Sequence, residues 1–191
     1  LDAMLIEYAP NRRYMTGFTG SAGTVIITPK KAFLATDFRY YEQAEVQAPD
    51  YELYRITMSP LKAVVECLQS LGVKRVGFEA HVVTVQELEQ YKAALSQVEW
   101  VATEGIVEEL RATKDEQEIE TIKKAVAITD AAIKDVFTWI RPGMTELEVA
   151  WRIEVYQRTH GASALSFSTI VAAGPRSSLP HAVPMDRPME I

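Results

Sequence analysis

The residue of this sequence best suited to proton transfer is a histidine in a proline-flanked loop. His181 lies in the stretch GPRSSLPHAVP, residues 174–184, directly after Pro180. An imidazole donates or accepts a proton near neutral pH, so this side chain could act as a general acid or base. Pro175 and Pro180 restrict the backbone and would hold the imidazole in a fixed direction. Taken alone, a Pro-His pair favours a histidine that only caps a turn.

Spacing patterns typical of a metal site are absent from the sequence. The three histidines are His81, His160 and His181, and no HExxH, CxxC or clustered His and Asp spacing links them. The single cysteine, Cys67, cannot form an internal disulfide and lies on the apolar face of a predicted helix, which favours a structural thiol. We therefore expect no metal ion to be bound by this chain's own ligands.

Composition limits the classes of partner. Of the 191 residues, 48% are hydrophobic and 24% are charged, which is the balance of a globular protein. The net charge of -6 gives no basic field for nucleic acid or anionic lipid. Apolar runs have strand length, far short of the roughly 20 residues that cross a bilayer. Because the N-terminus also shows no secretory signal pattern, we expect a cytoplasmic protein with no nucleic-acid or membrane partner.

Hydrophobic periodicity predicts the strands and helices that position these side chains. Short runs rich in β-branched and aromatic residues predict strands at 3–7, 24–28, 32–36, 75–79 and 98–102. Apolar residues at helical spacing predict two helices between the later strands, with Ser59 and Thr84 as N-caps. The pattern indicates an α/β domain with mixed strand pairing. We place this domain at residues 1–106, followed by a second domain at residues 107–191.

The second domain is predicted to begin with a long helix. Thr113 and Glu116 are spaced as a capping box, and the apolar residues that follow predict one apolar face of about seven turns. This face is expected to lie on a sheet or on another helix. Thr145 and Glu148 predict a second capped helix, and an apolar strand is expected before the loop that carries His181.

Five stretches taken together resemble the creatinase and Xaa-Pro peptidase family, which includes Xaa-Pro dipeptidase (prolidase) and Xaa-Pro aminopeptidase. They are NRRYMTGFTGSAG (11–23), TDFRYYEQA (36–44), LRATKDEQEIETIKKA (110–125), RPGMTELEVA (141–150) and FSTIVAAGPRSSLPHAVP (167–184). They follow the family's order and cover essentially the whole chain. The resemblance implies a creatinase-type, ribonuclease H-like N-terminal α/β domain, followed by the first part of a pita-bread α+β catalytic domain.

The resemblance also implies a chemistry. In this family two Asp, one His and two Glu hold two divalent metal ions, often manganese or cobalt, which activate water for amide hydrolysis. These ligands lie beyond the position equivalent to Ile191, so this chain is expected to carry none of them and to be inactive alone. The intact protein is expected to be a homodimer that hydrolyses the bond preceding proline in a dipeptide or short peptide.

Residue roles follow from the same resemblance. It implies that His181 is catalytic and contacts the substrate, either by assisting proton transfer or by stabilising the tetrahedral intermediate. Phe167 either lines the substrate cleft or fills the core. For Asn11, Gly17 and Gly20 of the first motif we expect a structural role in turns, with contact to a neighbouring subunit or to substrate as the alternative.

Two other functions stay open at this point. Creatine amidinohydrolases share the fold without needing metal and use the equivalent histidine as acid and base, so His181 does not separate the two activities. Other proteins keep the two-domain scaffold without catalysis and bind peptides or partner proteins. Residues after Ile191 would discriminate, because five metal ligands there would indicate a metallopeptidase.

Overall fold

Two compact units make up the chain in a computed structural model that describes residues 1–190. Unit 1 spans Leu1–Thr113, and unit 2 begins at Lys114. The sequence pattern placed the boundary after residue 106, whereas the structure assigns the helix Ile106–Ala112 to unit 1. The reason is local bonding, because the side chains of two residues in the helix Ala9–Thr16 contact this later helix.

A six-stranded mixed sheet forms the centre of unit 1. Its strands are β1 (Ala3–Ile6), β2 (Thr24–Ile27), β3 (Ala32–Asp37), β4 (Glu52–Ile56), β5 (Arg75–Glu79) and β6 (Glu99–Thr103), in the spatial order β4-β3-β2-β1-β5-β6. The β1–β2 and β2–β3 pairs are antiparallel, and the other three pairs are parallel. The prediction of an α/β domain with mixed pairing is confirmed.

Five helices accompany the sheet. They are α1 (Ala9–Thr16), α2 (Tyr41–Gln47), α3 (Pro60–Leu71), α4 (Val85–Ala94) and α5 (Ile106–Ala112). Thr84 caps α4 through a capping box with Glu87, as its spacing predicts, but Ser59 makes no side-chain bond at the start of α3. Cys67 of α3 is buried in the core, and burial raises the pKa of its thiol to about 11. This environment fits a structural thiol.

Unit 2 begins with two helices, α6 (Glu116–Trp139) and α7 (Glu146–Thr159). The predicted capping box at the start of α6 was wrong, because Asp115, not Thr113, accepts the backbone N–H of Glu118. An aspartate at this position satisfies an otherwise unpaired N–H as well as a threonine does, so spacing alone could not choose between them. The second capping box, between Thr145 and Glu148, is confirmed.

Among the described residues, the apolar face of α6 is buried near its C-terminal end and exposed near its start. Val136 joins Val149 and Ile153 of α7 in a small buried cluster, whereas Ile119 and Ile122 are exposed in the described chain.

The apolar strand expected before the loop that carries His181 was wrong, because residues 167–173 form no ladder within the described part of unit 2. A strand needs backbone partners on a neighbouring strand, and an apolar sequence alone does not supply them.

No helix within residues 1–190 is both long enough and apolar enough to cross a bilayer.

Candidate functional site

The loop that carries the candidate catalytic histidine follows a short 3-10 turn at Gly174–Ser178. His181 is exposed, and its imidazole makes no hydrogen bond within the described part of unit 2. The next residue, Ala182, is buried, and its N–H donates to the Leu179 carbonyl at 3.2 Å. The backbone is therefore held in a turn while the imidazole stays free to bind a ligand.

One buried carboxylate fixes both ends of this loop. Glu146, the first residue of α7, is fully buried, and its Oε1 accepts the N–H of Ala173 at 3.0 Å and the Arg176 Nε at 3.3 Å. Its Oε2 accepts the N–H of Met185 at 3.1 Å. Arg176 also donates through Nη2 to the Val183 carbonyl at 2.7 Å. The loop is thus anchored to the start of α7, which supports the prediction that its geometry is rigid.

These contacts determine the ionisation of the anchor. The backbone N–H of Ala173 is the main cause that holds the pKa of the Glu146 carboxyl below its usual range. The N–H of Met185 and the guanidinium of Arg176 act in the same direction. Folding therefore stabilises the ionised form, and this stabilisation is complete above the ordinary glutamate pKa but is lost as the pH falls through the lower folded value.

Acidification is accordingly expected to release the loop. As the pH falls below the ordinary glutamate pKa and through the lower folded value of Glu146, hydrogen exchange should show falling protection factors for the amides of Ala173 and Met185, because a protonated Glu146 is a weaker acceptor. In Glu146→Gln, which carries no titrating group, protection should be lower at pH 6 and change little with pH. Constant protection of both amides in the wild-type chain across this range would contradict the assignment of Glu146 as the anchor.

Phe167, the other residue predicted to contact substrate, lies in the irregular segment that follows α7. Its side chain is 72% exposed, so in the described chain it does not fill the core. An exposed aromatic ring is available for contact with a ligand, and Phe167 and His181 are both exposed on unit 2.

The first motif forms a tightly packed turn around a buried arginine. Arg12 donates through Nη1 to the Gly23 carbonyl and through Nη2 to the Gly20 carbonyl, both at 2.8 Å. A Cβ on Gly20 would lie 2.1 Å from the Phe18 ring, so glycine is required there by space and not by a positive φ. Gly17, by contrast, ends α1 with a φ of 75°. These contacts favour the structural role expected for the glycines.

Asn11 belongs to a different set of contacts, which joins α1 to β5. Glu79, the last residue of β5, is 4% exposed, and its Oε2 accepts the N–H groups of Glu7 and Tyr8, each at 2.7 Å. Its Oε1 accepts from Asn11 Nδ2 at 2.6 Å. Glu79 therefore satisfies donors at the start of α1. These contacts favour the structural role expected for Asn11, but the turn conformation was wrong, because this residue is completely buried inside α1.

The same asparagine reaches α5. Its Nδ2 also donates to Glu108 Oε1 at 2.6 Å, and its Oδ1 accepts from Arg111 Nη1 at 2.7 Å. The Nε2 of His81 lies 3.5 Å from the same Glu108 oxygen. The Asn11 bond is the main cause that lowers the pKa of the Glu108 carboxyl, and His81 and Arg111 add to the effect.

Sequence reasoning missed this group of contacts. The signal available was a glutamate at a strand end followed two residues later by a histidine, in GFEAH. Glu108 is distant in the sequence and reaches the others only because β6 pairs with β5 and α5 then returns to α1.

The described residues do not fit the two-metal centre that the resemblance implies. Within residues 1–190, the one group of three side chains with metal-ligand geometry is Glu79, His81 and Glu108, all of unit 1. No such group includes His181 or any other described residue of unit 2. No catalytic step through a metal can therefore be assigned to this chain's own side chains.

Comparison with known proteins gives matches along both units. The Creatinase/Prolidase N-terminal domain profile matches residues 1–113, and the Metallopeptidase family M24 profile matches residues 120–191. The chain is 43% identical over 190 residues to the "Uncharacterized peptidase YqhT" of Bacillus subtilis, covering 100% of this chain and 54% of that protein. The chain spans about half the length of the curated relatives it matches.

Solved structures also match both units of this chain. The Xaa-Pro dipeptidase from Bacillus anthracis is 40% identical with a TM-score of 0.91, covering 99% of this chain and 53% of that one. The X-Pro aminopeptidase from Thermotoga maritima is 32% identical with a TM-score of 0.90, covering 100% of this chain and 55% of that one.

By these matches, the mixed α/β domain of unit 1 is a creatinase/prolidase N-terminal domain, and the two helices and the anchored histidine loop of unit 2 lie in the segment that matches family M24. The chain belongs to the creatinase/prolidase family, with the N-terminal domain in unit 1 and part of the M24 domain in unit 2. The predictions of family and fold class are confirmed.

Proposed function

We propose that the protein to which this chain belongs is a metal-dependent Xaa-Pro dipeptidase or aminopeptidase that hydrolyses the peptide bond preceding proline. The observation that carries the proposal is the exposed His181, on a loop that Glu146 anchors at both ends, in the segment that matches family M24. The names of the two solved relatives support the substrate class, since one is a dipeptidase and the other an aminopeptidase.

In this proposal His181 is the catalytic residue that this chain contributes. An imidazole free of internal hydrogen bonds can donate to the oxygen of the scissile carbonyl as negative charge develops there, or can transfer a proton. The Glu146 anchor fixes the backbone on both sides and so limits the positions that the imidazole can sample. The exposed ring of Phe167 is the proposed apolar contact for the peptide.

Metal ions would polarise the carbonyl and activate the attacking water. Their ligands are proposed to come from residues outside this sequence, because the described residues of unit 2 contain no suitable group. Manganese or cobalt as the ion, a homodimer as the assembly and a cytoplasmic location stay predictions from the resemblance.

An amidinohydrolase and a non-catalytic binding module remain the rival functions. The names of the solved relatives at TM-scores of 0.90 and above favour a peptidase over both rivals. A substrate comparison separates the three functions, since only a peptidase releases proline, only an amidinohydrolase consumes creatine, and a binding module does neither.

The decisive experiment assays the intact protein beside the 191-residue chain, each with Mn²⁺, on an Xaa-Pro dipeptide, an Xaa-Pro-Xaa tripeptide and creatine. We expect proline-dependent cleavage by the intact protein and background rates for the 191-residue chain, since no group of metal ligands among the described residues includes His181. Creatine hydrolysis without peptide cleavage would overturn the proposal. Peptide cleavage by the short chain that is abolished in His181→Ala would overturn the part that concerns the missing ligands.

A further inference from the structure

Three side chains with metal-ligand chemistry converge in unit 1, far in sequence from the loop discussed above. A carboxylate oxygen of Glu79, a ring nitrogen of His81 and a carboxylate oxygen of Glu108 all lie within 4.8 Å of one another. We call these three residues the Glu79–His81–Glu108 cluster. Their placement follows from the sheet, because β5 supplies Glu79, the next turn supplies His81, and α5 after β6 supplies Glu108.

The cluster lies where α/β sheets commonly bind ligands. Strands β1, β5 and β6 run parallel, and Glu79 is paired with Thr103 at their carboxyl ends. The residues that follow these strands therefore meet at one edge of the sheet, and the carboxyl edge is the usual ligand-binding side of such sheets.

Glu79 carries a buried carboxylate whose direct partners are neutral. It is 4% exposed, and it accepts from two backbone N–H groups and one amide. The guanidinium group of Arg12 acts on the carboxylates of Glu7 and Glu79 as a nearby charge. That of Arg111 acts in the same way on the carboxylate of Glu108. A cation bound directly between Glu79 and Glu108 would give these two carboxylates a charged partner in place of a neutral one.

We propose that the Glu79–His81–Glu108 cluster binds one divalent transition-metal cation in unit 1, of which Zn²⁺ is the representative. Two carboxylate oxygens and one imidazole nitrogen are a ligand set suited to Zn²⁺, and the partly exposed His81 and Glu108 leave room for a water as the fourth ligand. The proposal is independent of the peptidase function, which concerns unit 2.

The amide of Asn11 and a bound cation would compete for the same two carboxylate oxygens. In the structure its amide donates to both carboxylate oxygens, each at 2.6 Å, and so occupies the position between them that a cation would take. The cation therefore replaces the two Asn11 N–H donors, and the two carboxylates exchange a neutral partner for a charged one. Binding should link β5, its following turn and α5 more firmly than the amide does.

The test uses the 191-residue chain, stripped of metal, with ZnCl₂ as the probe. Equilibrium dialysis with elemental analysis should find one Zn²⁺ per chain at saturation, and amide exchange in β5 should slow when Zn²⁺ is added. His81→Ala and Glu108→Gln should each weaken binding by at least tenfold. Glu108→Gln keeps an oxygen that accepts from Asn11, so it tests the lost charge in a folded unit.

His160→Ala is the matched control. His160 is also an exposed histidine, but it stacks on Tyr156 at the end of α7 and has no part in the cluster. Its substitution should leave the affinity and the slowed exchange in β5 unchanged. The proposal is overturned if wild type takes up no Zn²⁺ at millimolar concentration. It is equally overturned if His81→Ala and Glu108→Gln bind Zn²⁺ like wild type, since the ion would then lie elsewhere.

Discussion

Glu79→Ala is expected to lower the free energy of unfolding of unit 1 by about 3 kcal/mol or more. The carboxylate accepts the backbone N–H groups of Glu7 and Tyr8 and the amide of Asn11. Alanine leaves these donors without a partner where water has little access, and each such donor costs about 1–3 kcal/mol. Denaturant dependence of amide exchange in β1 and β5 measures the loss, because it reports on unit 1 alone.

Glu99→Ala is the matched control for this prediction. Glu99 lies on the neighbouring strand β6 and forms an exposed ion pair with Arg75. Exposed pairs contribute between about 0 and 1 kcal/mol, so the control should change stability by less than a third as much. Equal effects of the two substitutions would show that Glu79 is not a structural centre of unit 1.

His181→Ala in the intact protein is expected to lower kcat for Xaa-Pro cleavage by about 10²–10⁴-fold. The imidazole is exposed and has no hydrogen bond within the described part of unit 2, so its removal should not change folding or metal content. Steady-state kinetics on an Xaa-Pro dipeptide measures the loss, and elemental analysis of the same samples checks that bound metal is unchanged.

His160→Ala serves as the control on the same unit. It removes an imidazole of the same type from the C-terminal end of α7, where it stacks on Tyr156 with ring centroids 3.9 Å apart. We expect kcat to change by less than about threefold. A His181→Ala enzyme with wild-type kcat would remove this residue from the catalytic role, even if the protein proves to be an Xaa-Pro peptidase.

Local patterns predicted the elements whose residues interact mainly with near neighbours. Thr84 and Glu87 form their capping box, and so do Thr145 and Glu148, because the donors and acceptors of a cap lie within three residues of each other. The structure also contains an ion pair between residues as close along the chain, Asp37 and Arg39, with Oδ2 and Nη2 at 2.7 Å.

The sequence predictions were wrong or incomplete for segments whose structure depends on residues far away along the chain. Strand β4 was not predicted from the sequence, because it contains two charged residues, Glu52 and Arg55. It forms a strand because it pairs with β3 at the edge of the sheet. Asn11 looked like a turn former, but burial in α1 gives its amide two carboxylates and an arginine as partners. The apolar segment 167–173 had strand composition, yet its backbone has no ladder partner in the described part of unit 2.

The sequence by itself determined the α/β class, the family and the candidate histidine, since these depend on local periodicity and on motifs that stay recognisable along the chain. Only the tertiary structure showed that Glu146 anchors the His181 loop and that Glu79 and Glu108 share one asparagine. Those contacts join residues 27 to 97 positions apart. Spacing along the chain carries no information about such pairs, because sheet pairing and helix return decide which distant side chains share a buried site.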